Sequence, residues 1–291
     1  MELIYKQLLV NELDSLEVNL VESISSDIKL ASEVSNHLVS SGGKRIRPVV
    51  CILIAKAFSY QGQDLIKLAS SIELLHTATL IHDDVVDQSL IRRGKESIHA
   101  KWDNAHGVLV GDFVYSKAFQ LMASFENPRI IRTLADSTNR ISEGEVLQLA
   151  LKNKEVLNDK EYFEIIDRKT AELFKSAALT AGILSSCSES QLSSLAKFAT
   201  SLGLSFQIQD DILDIIGETK QTGKALRKDE KAGKATFVSL LGLDGAKTKA
   251  KQLVSDSCDS VAEFGEKASM LRELAKFVIN RSVSYTHLRA H

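Results

Sequence analysis

The stretch Ser71–Gly94, SIELLHTATLIHDDVVDQSLIRRG, decides how the chain is read. It opens as an apolar, helix-compatible run and reaches Asp83-Asp84-Val85-Val86-Asp87, with three carboxylates inside five residues. On a helix, Asp83 and Asp87 lie one turn apart on a shared face, and Asp84 is turned about 100° from Asp83. Carboxylates so placed repel one another and weaken the helix. A hard divalent cation reverses the sign of that interaction, and Mg²⁺ takes a few carboxylates together with substrate phosphate oxygens. Farther on, Arg92 and Arg93 supply guanidiniums, the group suited to two-pronged phosphate contacts. Aspartates and then arginines at the end of an apolar helix describe a metal–diphosphate site.

A second stretch, FQIQDDILD at 206–214, repeats the Asp-Asp-x-x-Asp spacing with Asp210, Asp211 and Asp214. One such cluster reads as readily as a solvated helix face. Two copies, each set in apolar sequence, do not, because carboxylates in a cleft or core need a partner.

With both clusters in view, the chain resembles the trans-isoprenyl diphosphate synthases, or polyprenyl synthetases. The resemblance spans residues 20–282 and rests on GGKRIRP (42–48), LLHTATLIHDDVVD (74–87), RRGK (92–95), VLVGDFVYSKAF (108–119), EGEVLQL (143–149), KTAELF (169–174), FQIQDDILD (206–214) and GKAT (233–236). It implies the isoprenoid synthase fold: an all-α, single-domain bundle of about 10–13 helices around a central cavity. It further implies a homodimer, about three Mg²⁺ ions per site, and two substrates, isopentenyl diphosphate and an allylic diphosphate. By resemblance Asp83, Asp84, Asp87, Asp210, Asp211 and Asp214 hold the metal. Lys44, Arg47, His76 and Arg93 take the homoallylic diphosphate; Arg92 and Lys169 take the allylic one. Thr170, Gln207, Lys224 and Lys234 complete the substrate-binding set, with Arg45 as a further cation. The reaction so implied is ionisation of the allylic diphosphate and attack by the isopentenyl double bond, without a protein nucleophile. Charge stabilisation and positioning are then the protein's contribution.

The residues agree with this beyond the motifs. At 291 residues with 44% hydrophobic and 25% charged content, the chain is a globular protein with one large core or two ordinary ones. Two prolines and scarce period-2 alternation predict an all-α protein. A net charge of −2 argues against nucleic acid as a partner. Cys51, Cys187 and Cys258 are scattered without CxxC spacing, so a zinc site or a disulfide framework is not expected. No signal peptide and no apolar run of the ~18 residues needed for a membrane span is seen, which predicts a cytoplasmic protein. The motif GGKRIRP reads as a basic loop at a helix start, an anion seat beside the carboxylates. Helices are expected over 49–60, 64–90, 105–125, 129–151, 160–184, 195–216 (closed by Gly217) and, as a pair, 237–281. Asn158 or Asp159 is the expected N-cap of the helix from 160, and Asp112 the expected supporting partner of the site. The final residues, 283–291, break the periodicity and are set apart from the fold as an appended tail.

Chain length is a steric question. Ala78 and Thr79, one turn before Asp83, are small where short-chain members of the family carry an aromatic residue, which leaves a channel for a growing tail. The first half resembles octaprenyl-type synthases, which supply quinone side chains; the second half resembles farnesyl-type enzymes. A medium- or long-chain product is therefore expected, with a farnesyl or geranylgeranyl diphosphate synthase as the alternative. Three other classes compete less well. A non-catalytic subunit of a heteromeric synthase would have lost carboxylates or cations, and none is missing. A terpene cyclase lacks a second cluster of this type. A di-iron bundle built on Glu73-x-x-His76 and Glu96-x-x-His99 leaves both aspartate clusters unexplained.

Overall fold

The structure is a computed structural model that describes residue 5 and residues 7–151, 158–222 and 236–280, without the side chains of 217–222. Lys224, Lys234 and the segment 283–291 lie outside the described residues. The fold is the expected all-α bundle. In chain order it comprises α1 (Val10–Ser23), α2 (Lys29–Val39), α3 (Ile46–Ala57), α4 (Asp64–Val86), a short α5 (Ile98–Lys101), α6 (Asn104–Ala123) and α7 (Pro128–Leu151). It continues with α8 (Asp159–Ile166), α9 (Glu172–Leu184), α10 (Glu189–Thr222), α11 (Phe237–Ser260) and α12 (Ser269–Ile279).

The two helices that carry the aspartates are held by opposite parts of the bundle. Helix α4 packs between α3 and α6, and α10 packs between α9 and α11. Helix α9 runs through the middle and touches α3, α4, α7 and α10, so it fixes the gap between them. Its side chains are apolar nearly all round, as a central helix requires: Leu173, Phe174, Ala177, Ala178 and Ala181 are all buried. On α6, Gly107 and Gly111 sit one turn apart. A Cβ at the first would overlap Val85 and at the second His82, so both glycines serve the close approach of α6 to α4. A smaller core of Tyr162, Ile166, Ile208, Ile212 and Phe237 joins α8, α10 and α11 behind the second cluster.

Helix boundaries differ from the sequence reading where local chemistry decides. Helix α4 ends at Val86 rather than 90, and Gln88 takes a φ of 52°. The chain then turns through a two-stranded hairpin, Ile91–Arg92 with Lys95–Glu96. Its turn residues Arg93 and Gly94 have φ of 52° and 76°, the conformation that twisted two-residue hairpins demand. Gly217 does not close α10, which runs on to Thr222; an isolated glycine costs a helix about 1 kcal/mol but leaves its hydrogen bonds intact. The Asn158 cap is a full capping box: its side chain accepts from the Glu161 amide, and the Glu161 carboxylate accepts from the Asn158 amide.

The helix expected over 160–184 is not one α-helix. Asp167–Ala171 forms a single π-turn between α8 and α9. It is wedged between two glycines. A Cβ on Gly144 of α7 would come within 2.8 Å of Arg168 Cβ, and one on Gly203 of α10 within 2.7 Å of Ala171 Cα.

Candidate active site

A cleft of about 300 Å³ opens between α4, the hairpin, α7, the π-turn and α10. Asp83 from α4 and Asp210 from α10 both line it, together with Arg47, His76, Arg92, Arg93, Lys169, Thr170 and Gln207. Both aspartate clusters and most of the expected cations therefore meet in one place. The exceptions are informative.

Within each pair of adjacent aspartates, one side chain faces the cleft and the other is built into the protein. Asp84 is buried behind the first cluster, where its Oδ1 accepts from Arg92 Nε at 2.8 Å and Nη2 at 2.5 Å. Burial pushes the Asp84 carboxyl upward, and Arg92 offsets only part of that. Asp211 is buried likewise: Oδ1 accepts from Gln207 Nε2 at 2.9 Å, and Oδ2 from Tyr162 at 2.7 Å and from the Phe237 amide at 2.9 Å. The sequence reading placed Asp84 and Asp211 among the metal ligands. In the structure they are built into the walls, Asp84 holding Arg92 and Asp211 joining α8, α10 and the start of α11. The helical period turns Asp84 and Asp211 about 100° from Asp83 and Asp210, toward Arg92 and toward Tyr162 and the Phe237 amide. Asp87 and Asp214 follow Asp83 and Asp210 by one turn; Asp87 is half-buried, Asp214 is exposed, and neither lines the cleft wall itself.

The cations divide in the same way. Arg47 Nη1 donates to His76 Nε2 at 3.2 Å, which makes that nitrogen the acceptor, and the guanidinium lies 4.5 Å over the Phe174 ring. Arg93 donates to the Gly42 carbonyl at 2.6 Å and approaches Glu73 at 3.4 Å. Gly43 sits against its guanidinium, where a Cβ would be 3.2 Å from Cζ. Arg45, the expected further cation, is not in the cleft. It is buried in an ion-paired cluster with Glu73 (2.7 Å) and Glu17 (2.7 Å). Burial disfavours its charge, but the two glutamates outweigh that and hold its pKa above the ordinary value. Its backbone φ of 48° turns it away from Lys44 and Arg47. Lys44 is half-buried and lies outside the cleft lining.

The sequence reading places Glu145 in the motif EGEVLQL on the helix 129–151 and gives it no role. Glu145 stands in the cleft with Lys169 Nζ 2.6 Å from its carboxylate and 3.1 Å from Asp83 Oδ2. Burial and the charge of Asp83 push Glu145 up to about 7, although Lys169 draws it back. The Lys169 ammonium, disfavoured by burial, is held above its ordinary value by Asp83 and Glu145. The sequence signal was present in Glu143-Gly144-Glu145, but nothing in it says which glutamate turns inward. Glu143 faces out, 2.5 Å from Arg168. Thr170 Oγ1 donates to Gln207 Oε1 at 3.0 Å, so the π-turn is tied to α10 across the cleft floor. Replacing Gly144 with Ala should push on this turn through the Arg168 and Lys169 backbone. Overpacking of that kind costs about 1–3 kcal/mol and is expected to lower the thermal midpoint by several degrees.

A second, mostly apolar cavity of about 590 Å³ adjoins the first and shares Thr79, Asp83 and Glu145 with it. Tyr115, Ile141, Val146 and Leu149 are among its walls. Thr79 therefore stands between the two spaces. Ala78, the other small residue of the sequence reading, is wholly buried in the core and lines neither. Asp112 lies at the apolar cavity, 3.3 Å from His82, and not beside the diphosphate cleft. The di-iron alternative fails on geometry: Glu73 is committed to Arg45, and Glu96 is exposed on the hairpin.

Carboxylates and cations lining a cleft that leads into an apolar cavity define a protein that handles a diphosphate carrying a hydrocarbon tail. The sequence profile of the Polyprenyl synthetase family matches residues 28–274, and the chain belongs to that family of prenyltransferases. It is 38% identical over 248 residues to the octaprenyl diphosphate synthase of Escherichia coli, covering 85% of this chain and 77% of that one. The geranylgeranyl diphosphate synthase of Saccharolobus solfataricus is 30% identical over 274 residues, 91% of this chain and 81% of its own. Among solved structures, a Caulobacter crescentus polyprenyl synthase in complex with calcium and isoprenyl diphosphate superposes with a TM-score of 0.90 at 31% identity. The match covers 97% of this chain and 98% of the other.

Proposed function

We propose that the chain condenses isopentenyl diphosphate with an allylic diphosphate to an all-trans polyprenyl diphosphate of medium or long chain, in the octaprenyl class that serves as a quinone side chain. The observation that carries this reading is the pair of adjoining spaces: a charged cleft shared by Asp83 and Asp210, opening past small Thr79 into an apolar cavity. The short-chain alternative draws on the farnesyl-like second half and the geranylgeranyl-type relative. The small side chain at Thr79, which borders both spaces, favours the longer product.

The donor set suits Mg²⁺. It consists of carboxylate oxygens, with Asp83 and Asp210 in the cleft and Asp87 and Asp214 a turn beyond. Among the described residues no three His, Cys, Asp or Glu already converge on one ion position. Mg²⁺ takes a few carboxylates and fills its remaining positions with diphosphate oxygens and water. When bound, the metal supplies charge neutralisation for the departing diphosphate. In this reading Arg92, aimed by Asp84, and Lys169, now shared by Asp83 and Glu145, bind the allylic diphosphate. Arg47, held against Phe174 and His76, and Arg93, held by Gly42, bind the homoallylic one. A proton leaves the isopentenyl unit to the released diphosphate. Lys224 and Lys234 are retained as proposed contacts on family grounds alone.

Among the described residues no helix is long and apolar enough to cross a membrane, and a cytoplasmic enzyme is proposed. A homodimer is proposed from the family, in keeping with exposed Leu109, Val146 and Leu149 on α6 and α7. Incorporation of labelled isopentenyl diphosphate into an extractable prenyl product should require Mg²⁺ and cease with EDTA. Lys169→Ala should weaken the allylic substrate by about tenfold or more, the effect of losing one charged contact to a diphosphate. Incorporation unaffected by chelation would overturn the metal assignment.

A further inference from the structure

Arg140 lies on α7 outside the cleft lining, and it bridges the two ends of the π-turn. Its Nη2 is 2.7 Å from Asp167 Oδ2 and its Nε is 2.9 Å from Glu172 Oε2. These are the residues whose backbones close the wide turn, the Glu172 amide donating to the Asp167 carbonyl. In an α-helix, residues five apart diverge by about 140°. One guanidinium could not then meet both carboxylates. In a π-turn, whose hydrogen bond runs from residue i to i+5, they stand one above the other.

We propose that Arg140 is a positioning residue for the reaction: its two-pronged pairing with Asp167 and Glu172 selects the π register of 167–171 over the α register and so keeps Lys169 and Thr170 together on the cleft wall. A contact shifts an equilibrium only by its difference between the two states, and Arg140 differs because the fork is satisfied in one register alone. The rest of the α7 face works in the same sense. Glu143 pairs with Arg168, and Gly144 lets the turn approach closely. Return to α geometry would remove the extra residue of the turn and rotate the chain before it by about 100° relative to α9. Lys169 would then lose its bearing on Asp83 and Glu145. The inference rests on the reading of Lys169 as a diphosphate ligand.

The test uses the full-length protein with Arg140→Met, which keeps the aliphatic stem and loses the fork. KM for farnesyl diphosphate should rise about tenfold, the loss of one charged contact, with kcat little changed. In a Lys169→Ala background the same substitution should add nothing, because both act through one side chain. Hydrogen exchange at the amides of 167–172 should quicken while the thermal midpoint stays within a few degrees. Asp167→Asn removes one arm of the bridge and gives a milder version should Arg140→Met fold poorly. Unchanged KM with unchanged exchange, or effects fully additive with Lys169→Ala, would overturn the proposal. If the unsubstituted protein makes no prenyl product, the functional reading falls, while the exchange measurement still judges the register claim by itself.

Discussion

Asp83→Asn should reduce turnover by a factor on the order of 10²–10³, the usual loss when one preorganised charge-stabilising group is removed, and should not lower the melting temperature. The asymmetry follows from the local charge balance. One ammonium, Lys169, now serves two carboxylates, Asp83 and Glu145. The excess negative charge is what pushes Glu145 up to about 7, after burial. Removing the Asp83 charge relieves that repulsion and leaves a matched Lys169–Glu145 pair. The relieved repulsion offsets the lost Lys169–Asp83 pair, so the fold changes little in stability, while the cleft loses an aspartate that lines it. Asp84→Asn is the control: it faces Arg92 and not the cleft, so it should act on substrate KM, by about tenfold, through a loosened guanidinium. Steady-state kinetics beside thermal melts check both. A stable Asp83→Asn enzyme with normal turnover would remove Asp83 from the chemistry.

The second large effect is on product length. Thr79 is the small side chain that borders both the diphosphate cleft and the apolar cavity. Thr79→Phe should fill the passage and shift the products to C15–C20, with turnover on short primers retained because no diphosphate contact is removed. Ala78→Phe is a different experiment. Ala78 is buried with no exposure in the core and lines neither space, so a phenyl ring there must overpack, at a cost of about 1–3 kcal/mol. Chromatography of dephosphorylated prenols from the two variants separates the cases. Products of unchanged length from Thr79→Phe would show that the tail leaves by another route.

How far the sequence reaches can be judged from single residues. Both aspartate clusters and the arginine pair were legible because their chemistry is stated by residue type and spacing, whereas Arg47, His76 and the Lys169-Thr170 pair were reached through the family resemblance. The all-α bundle was legible for a similar reason, the scarcity of proline and of period-2 alternation. What the spacing could not settle was direction. Asp84 and Asp211 share a motif with Asp83 and Asp210, yet the helix turns them into the walls, where Arg92, Tyr162 and the Phe237 amide occupy them. Arg45 sits between Lys44 and Arg47 in sequence, yet a left-handed backbone sends it to Glu17 and Glu73. The π-turn left no local signature, because it depends on partners from two other helices: Gly144 and Arg140 on α7, Gly203 on α10. Glu145 was missed for the same reason, since its role depends on which face of α7 meets Lys169 and Asp83.

A metal–diphosphate cleft that feeds an open apolar cavity should make a long prenyl chain. The most direct test is incubation of the purified protein with Mg²⁺, isopentenyl diphosphate and farnesyl diphosphate, followed by chromatography of the prenyl products. The expected result is a ladder that extends well past C20 and ends near C40. Products that stop at C15 or C20, or no condensation with any allylic primer, would contradict it.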